Sequence, residues 1–356
     1  MGFFKKHWKI ILCGTFIGIV ATLLQKFGNP ANMGVCVACF ERDIAGALGF
    51  HRATVVQYLR PEIFAFVLGS FASSLLFKEF KPRGGSLPLV RFFLGFFAML
   101  GALVFLGCPW RALLRLAGGD WNAIAALVGL VVGVFIGVQF IKGGYNLGRS
   151  YPAYKFPGLL MPLMMLGLLL LLIIKPVVPG GVPFFSQKGP GSQHAPIIIS
   201  FIIAFFIGIF AQRTRFCTMG AVRDIILMRD FHLASGVISL LAFAFLSNLA
   251  LGQFKPGFFN QPVAHTNQIW TFFGMVLSGL AYALAGGCPG RQLFLSGEGD
   301  IDAGVFVIGM IVGAGFAHNF ATAASPAGVG PWSPIAVVAG LFFCIATGLF
   351  MRKKIA

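Results

Sequence analysis

The sequence predicts an all-α polytopic membrane protein with about ten transmembrane helices, four short re-entrant helices and two inverted homologous repeats. Three observations carry this prediction: the composition, the long apolar stretches and an internal repeat. Of the 356 residues, 58% are hydrophobic and only 10% are charged, whereas a soluble domain has about 25% charged residues. This chain has too few charged side chains to cover a water-exposed surface, so a membrane is its expected environment.

Ten apolar stretches approach the length that spans a bilayer. They are residues 10–27, 61–77, 87–106, 121–141, 156–174, 196–211, 233–251, 269–285, 303–319 and 335–351. Several are shorter than the usual length of about 20 residues, so their boundaries are soft. The basic N-terminal residues precede an apolar run without a convincing small-residue cleavage site, so this run is interpreted as the first membrane helix.

Four further segments are too apolar for ordinary loops and too short to cross a membrane. They are residues 33–48, 109–117, 217–228 and 289–295. Irregular backbone at membrane depth is tolerated only where protein or a water-filled cavity satisfies its polar groups. These segments are therefore predicted to enter and leave on the same side, around a pathway.

An internal repeat organises the chain. The motif GCPWR at 107–111 returns as GCPGR at 287–291, an offset of 180 residues, and Cys36 with Arg42-Asp43 returns as Cys217 with Arg223-Asp224. The predicted organisation is a first repeat at 1–175, a linker at 176–194 and a second repeat at 195–356. Five spans in each half would invert the second half; a single miscounted span would make the repeats parallel.

The distribution of basic residues orients the chain. Placing the N-terminus inside puts about two thirds of the 27 Lys and Arg residues on the inner side, as the positive-inside rule requires. The expected location is the cell inner membrane, with both termini in the cytoplasm. The excess of positive charge lies between apolar runs rather than in a soluble patch, so nucleic acid is not an expected partner.

The two Gly-Cys-Pro motifs predict helix starts that favour an anion. Proline fits the first helical turn, which places Cys108 and Cys288 at or beside N-caps, where unpaired N–H groups and the helix dipole attract negative charge. The arginines three residues on return to the same helix face. The candidate pathway or supporting residues of these motifs are Gly107, Cys108, Pro109, Arg111, Gly287, Cys288, Pro289 and Arg291.

The second repeated pair, Cys36 and Cys217, is followed by Arg-Asp in each half. Asp43 and Asp224 are expected to neutralise Arg42 and Arg223, and a purely structural clamp and a gating role both stay open. Cys13 and Cys344 lie inside apolar spans and are expected in the core. Cys39 has no counterpart, since Gly220 stands in its place.

Several functional classes lack a supporting pattern. The histidines show no metal-ligand spacing, and neither a phosphate-binding loop nor a dinucleotide-binding motif occurs, so neither a metal nor a cofactor is expected. Cysteines recurring in Gly-rich breaks do not suggest a disulfide scaffold. The chain is not expected to be an enzyme.

The motifs GCPWR, GCPGR, RFCTMGAVRDI at 215–225 and GVCVACFERDI at 34–44 resemble the YeeE/YedE family of bacterial membrane proteins, in particular its selenium- or sulfur-associated YedE branch. The resemblance implies two pseudo-symmetric halves forming an hourglass that takes up thiosulfate, with pore-lining cysteines passing the anion along by S–H contacts. By motif, these are Cys36, Cys108, Cys217 and Cys288. A TusA/SirA-like sulfur-carrier protein in the cytoplasm is a further expected partner.

Two other functions stay open on the sequence alone. Cys36 and Cys39 form a CxxC that fits a membrane thiol oxidoreductase, because such thiolates are often acidified. A subunit that only docks a soluble sulfur carrier is the third interpretation. Transport is preferred, since the other cysteines are distributed by repeat symmetry rather than as a second redox pair.

Overall fold

The computed structural model describes residues 2–176 and 181–352, and the regular structure in this part of the chain is almost entirely helical. The ten long helices are α1 (Gly2–Lys26), α3 (Pro61–Leu76), α4 (Pro88–Phe105), α6 (Asn122–Lys142), α7 (Lys155–Ile174), α8 (Ile197–Thr214), α10 (His232–Ala250), α11 (Gln268–Ala285), α13 (Ile301–Asn319) and α14 (Ser333–Phe350). The four short helices are α2 (Val37–Ala47), α5 (Pro109–Ala117), α9 (Thr218–Met228) and α12 (Pro289–Gly297). The predicted all-α polytopic architecture is confirmed.

Nine segments of the described chain are long and apolar enough to cross a membrane. The tenth long helix, α3, is apolar but has only 16 residues, and it packs along α8. The ten predicted stretches and four short segments each correspond to one helix. The predicted number of helices is correct because long apolar runs bounded by Gly, Pro and charged residues are a strong signal of membrane helices.

Both halves have the same order of long and short helices, α1–α7 and α8–α14. Long helices of one half pack along long helices of the other half. Helix α1 lies along α10, and its counterpart α8 lies along α3. Likewise, α4 lies along α13, and its counterpart α11 lies along α6. Helices α4 and α11, which are counterparts, pack on each other. The repeat boundaries and the inverted orientation stay predictions, and the reciprocal packing is the pattern they require.

Glycines at helical spacing let these pairs approach closely. A Cβ on Gly133 of α6 would meet the carbonyl oxygen of Val276 on α11, and one on Gly309 of α13 would meet that of Phe92 on α4. These contacts leave no room for a side chain. The small-residue ladders are therefore helix-contact surfaces.

The connection between the halves does more than link them. Residues 177–180 of the predicted linker lie outside the described residues. Further along, Ser186 N–H donates to Gln57 O at 2.9 Å and Gly191 N–H donates to Val55 O at 2.8 Å. The described part of the linker therefore covers the segment between α2 and α3. A two-residue strand pair, β1 (Arg83–Gly84) with β2 (Tyr151–Pro152), completes the described regular structure.

Candidate functional site: four cysteine-capped helix starts

Each of the four repeated cysteines is the N-cap of a short helix. Cys36 caps α2 and its sulfur accepts from Cys39 N–H at 3.4 Å, and Cys217 caps α9 and accepts from Gly220 N–H at 3.2 Å. Cys108 and Cys288 cap α5 and α12, with Pro109 and Pro289 in the first turn. The N-cap positions that proline spacing predicts for Cys108 and Cys288 are thus observed.

The structure brings these cysteines together as two pairs. Cys36 Sγ lies 3.9 Å from Cys108 Sγ, and Cys288 N–H donates to Cys217 Sγ at 3.5 Å. The seven cysteines all lie within the described residues and are free thiols. Each pair therefore combines two thiols with two helix N-termini, whose N–H groups and dipoles favour a bound anion.

Trp110 lies between the two pairs. It follows Cys108 and Pro109 on α5, yet its ring packs edge-on against Phe216, which precedes Cys217, at 5.7 Å between centroids. A Cβ placed on Gly290 of α12 would be 3.1 Å from Trp110 Cζ2. The indole of Trp110 therefore lies between the two GCPxR helix starts. The space between them does not hold a second indole at position 290.

The two motifs thus differ at the position where they contact each other, with Trp110 in the first and Gly290 in the second. The ring is almost fully buried, and Phe66 and Phe294 complete its surroundings, with centroids at 5.9 and 6.1 Å. Its Nε1–H has no hydrogen-bond partner within the described part of the chain. Buried donors are normally paired, so this N–H is free to bond an anion or water that reaches it.

The two motif arginines have different partners. Arg111 is fully buried and donates to Val263 O at 3.0 Å, to Pro262 O at 3.4 Å and to Cys39 Sγ at 3.7 Å. Arg291 instead donates to Glu298 Oε1 at 3.2 Å. Arg111 therefore braces a loop with its charge uncompensated by a direct ion pair, while Arg291 has a carboxylate partner.

The Arg-Asp pairs are ion pairs in both halves. Arg42 Nη2 lies 2.7 Å from Asp43 Oδ1, and Arg223 Nε lies 2.8 Å from Asp224 Oδ1. Asp43 Oδ2 also binds Arg60 at 2.7 Å. The expected neutralisation of arginine by aspartate is observed. Sequence reasoning missed Arg60, whose only signal was its position before the Pro61 helix start.

A second missed pair lies behind the Cys108 helix. Arg115 Nε lies 2.6 Å from Asp120 Oδ2, and both side chains are buried. In the sequence Asp120 stands out only as a repeated position matching Asp300, which accepts from Ala303 N–H at 2.9 Å as the N-cap of α13. Arg115 has no counterpart in the repeat, since Leu295 stands there, so symmetry gave no signal for it.

The Cys217 side opens to solvent. A cavity of about 340 Å³ reaches this pair. Its lining residues are Thr214, Arg215, Cys217, Arg223, Asp224, His232, Leu233, Gly286 and Arg291. Three arginines line this cavity against one aspartate. The cavity therefore leads to Cys217 past three arginines, two of which, Arg215 and Arg291, also contact Glu298.

On the Cys36 side, Cys36 is fully buried and Arg111 holds the loop at 262–263. Val263 in this loop has φ +48°, a left-handed conformation that is strained for a β-branched residue. His265 Nε2 lies 2.8 Å from Val104 O, and its Nδ1 accepts from Asn267 N–H. Burial lowers the pKa of His265, which favours the neutral ring that this bonding needs.

The second half of the sequence is similar to known proteins. Residues 213–352 match the family described as Sulphur transport. The matched segment contains Cys217, Cys288 and all lining residues of the open cavity. The resemblance to YeeE/YedE sulfur transporters that the motifs indicate is thereby confirmed.

One curated relative is the thiosulfate transporter TsuA of Spirochaeta thermophila, to which the chain is 28% identical over 181 residues. The match covers 41% of this chain and 53% of that transporter. The chain thus spans about half the length of the relative it matches.

Proposed function

We propose that this protein takes up a small sulfur or selenium oxyanion of the thiosulfate class across the cell inner membrane. The observation that carries the proposal is the pairing of four cysteine-capped helix starts around Trp110, with a positively charged cavity leading to one pair. The sulphur transport family match and the similarity to a transporter named for thiosulfate support it.

The chemistry of the site fits a soft, sulfur-containing anion. Thiols are weak donors and polarisable, and conduction requires binding that is weak enough to allow release. The helix starts supply positive potential through their backbone N–H groups. Arg111 is held by carbonyl oxygens and Arg291 by Glu298, so neither guanidinium is free to clamp the ion. In this proposal the anion passes from Cys36 and Cys108, past the Trp110 ring, to Cys217 and Cys288.

The basic-residue distribution places the Cys217 cavity on the cytoplasmic side in this proposal. The structure is then an inward-open conformation of the transporter, with the outer side closed by the 262–263 loop. A TusA/SirA-like carrier would receive the sulfur anion at the cytoplasmic mouth, where Arg215 and Arg223 are partly exposed. This partner stays a prediction.

The thiol oxidoreductase alternative makes a different prediction about Cys39. The Cys39 thiol donates to Leu106 O at 3.6 Å and accepts from Arg111, which gives it a structural contact rather than a second redox pair. Replacing Cys39 by Ser would abolish a redox relay and only modulate a transporter.

The test is uptake of labelled thiosulfate and selenite by purified protein in liposomes. Cys108→Ala and Cys288→Ala should each reduce thiosulfate uptake at least tenfold, because each removes a thiol from one pair. Cys344→Ala is the matched control, since Cys344 is a free, fully buried thiol in α14. Unimpaired uptake by the first two variants at normal protein levels would reject the proposal.

A further inference from the structure

Glu41 is a buried acid that the pathway described above does not use. It lies on α2 and is fully buried, and neither carboxylate oxygen has a hydrogen-bond partner among the described residues. Asp43 and Asp120, by contrast, are buried against arginines. An isolated ionised carboxylate is too costly to bury, so Glu41 carries a proton in this conformation.

Glu41 lies close to the cysteine pathway. Cys36 is the N-cap of α2, the helix that carries Glu41, and its sulfur lies 3.9 Å from Cys108 Sγ. The same helix packs against α12, which Cys288 caps. The helix that carries Glu41 therefore lies beside a cysteine of each pair.

The repeat shows that the fold does not require this acid. The position equivalent to Glu41 in the second half is Val222. Glu41 is thus an addition to a shared architecture. A buried, unpaired acid that the architecture does not need is a candidate for function.

The charged groups around α2 leave Glu41 unpaired. This helix packs against α3, α4, α12 and α13. The titratable groups on these helices are Glu62, Arg91, Arg291, Asp302 and His318. Glu62 accepts from the Asn29 amide, Arg91 donates to Ser86, and Arg291 donates to Glu298. Asp302 accepts from the N–H groups of Gly85 and Ser86, and the His318 ring contacts the His51 ring.

We propose that Glu41 binds a proton in the anion pathway and that this proton crosses the membrane together with the sulfur anion. The inference rests on the proposed function. The carboxyl O–H bond breaks when the proton passes to water on the Cys217 side, and it forms again with a proton from water on the Cys36 side. The proton offsets part of the negative charge that the anion moves against the membrane potential.

The test uses proteoliposomes that contain a pH-sensitive dye, with the membrane potential clamped at zero. Adding labelled thiosulfate outside should acidify the lumen of wild-type vesicles. An external pH one unit lower than the internal pH should raise steady-state accumulation about tenfold for each coupled proton. Wild-type uptake that causes no acidification would overturn the proposal.

Glu41→Gln removes the titrating group while keeping its size. This variant should exchange labelled for unlabelled thiosulfate but lose both acidification and pH-driven accumulation. Glu62→Gln is the control, because Glu62 is also fully buried but accepts from Asn29 at 2.7 Å; it should keep pH-driven accumulation. Accumulation by Glu41→Gln equal to wild type would overturn the proposal.

The failure of the proposed function is distinguishable from the failure of this inference. If wild-type vesicles take up no thiosulfate under any gradient, the substrate assignment fails. If they take it up without a proton, only the role of Glu41 fails. Should Glu41→Gln not fold, judged by gel filtration, Glu41→Val takes its place with the same expected loss and the same contradicting result, since valine stands at the equivalent position 222.

Discussion

The two halves of this protein use the same helix starts but present them differently to solvent. In the second half, Cys217 borders an open cavity and Asp224 pairs with an arginine that is 31% exposed. In the first half, Cys36 and Asp43 are fully buried, and Arg60, which pairs with Asp43, donates to carbonyl oxygens of the linker. The repeated motifs thus supply two similar helix starts, of which the one in the second half borders an open cavity.

This difference is the kind that alternating access needs. In transporters with repeated halves, rocking one half against the other exchanges the open and closed sides around a fixed site. In the proposed function, the reciprocal helix packing, in which α1, α4, α8 and α11 each lie along a helix of the opposite half, would supply the surfaces for that motion. Substitutions in the two halves can test whether the buried side is held as firmly as its contacts indicate.

The largest expected effect is the loss of Asp43. Asp43→Ala leaves the guanidinium groups of Arg42 and Arg60 buried without a carboxylate, which should lower the free energy of unfolding by about 3–5 kcal/mol. Asp224→Ala, the matched change in the open half, should lower it by less than about 1 kcal/mol, because Arg223 remains solvated. Thermal unfolding in detergent compares the two, and equal shifts in Tm would contradict the asymmetry.

A smaller effect is expected where the halves meet. Gly290→Ala introduces a methyl group against Trp110 and should destabilise the protein by about 1–3 kcal/mol. In a Trp110→Phe background the smaller ring makes room, so the same change should be milder by about 0.5–3 kcal/mol. Thermal unfolding of both single variants and the double variant measures this coupling. Additive effects would show that these residues do not meet.

The smallest expected effect concerns the loop on the closed side. Val263→Gly removes a left-handed strain of about 1–2 kcal/mol, partly offset by the greater chain entropy of glycine. Both variants lose the packing of the Val263 side chain, but Val263→Ala also keeps the strained backbone, so the glycine variant should have the higher Tm. A Tm for the glycine variant at or below that of the alanine variant would disprove the strain.

Much of the fold follows from the sequence because its signals are local. Long apolar runs predict the ten long helices, and the Gly-Cys-Pro spacing alone predicts that Cys108 and Cys288 lie at helix starts. The repeat offset matches Cys36 with Cys217. Each of these inferences needs only spacing along one segment, which the chain displays directly.

The tertiary contacts of the site could not be predicted from local spacing in the sequence. The indole of Trp110 reaches a glycine 180 positions away, and Arg111 binds carbonyl oxygens of a loop near residue 263. In the sequence Glu41 is one more charge in a GVCVACFERDI motif, and only packing shows that it is unpaired. Partnerships of buried polar groups depend on which helices become neighbours, and no local pattern records that.

The central claim is that the repeated cysteines line one anion pathway that is open on the Cys217 side. The most direct measurement is the rate at which a small maleimide labels each cysteine of the wild-type protein, followed by mass spectrometry with and without thiosulfate. The account predicts that Cys217 is labelled faster than Cys36, Cys108 or Cys344 and that thiosulfate slows the labelling of Cys217. Labelling of Cys217 that thiosulfate leaves unchanged, or that is no faster than the labelling of Cys108, would contradict it.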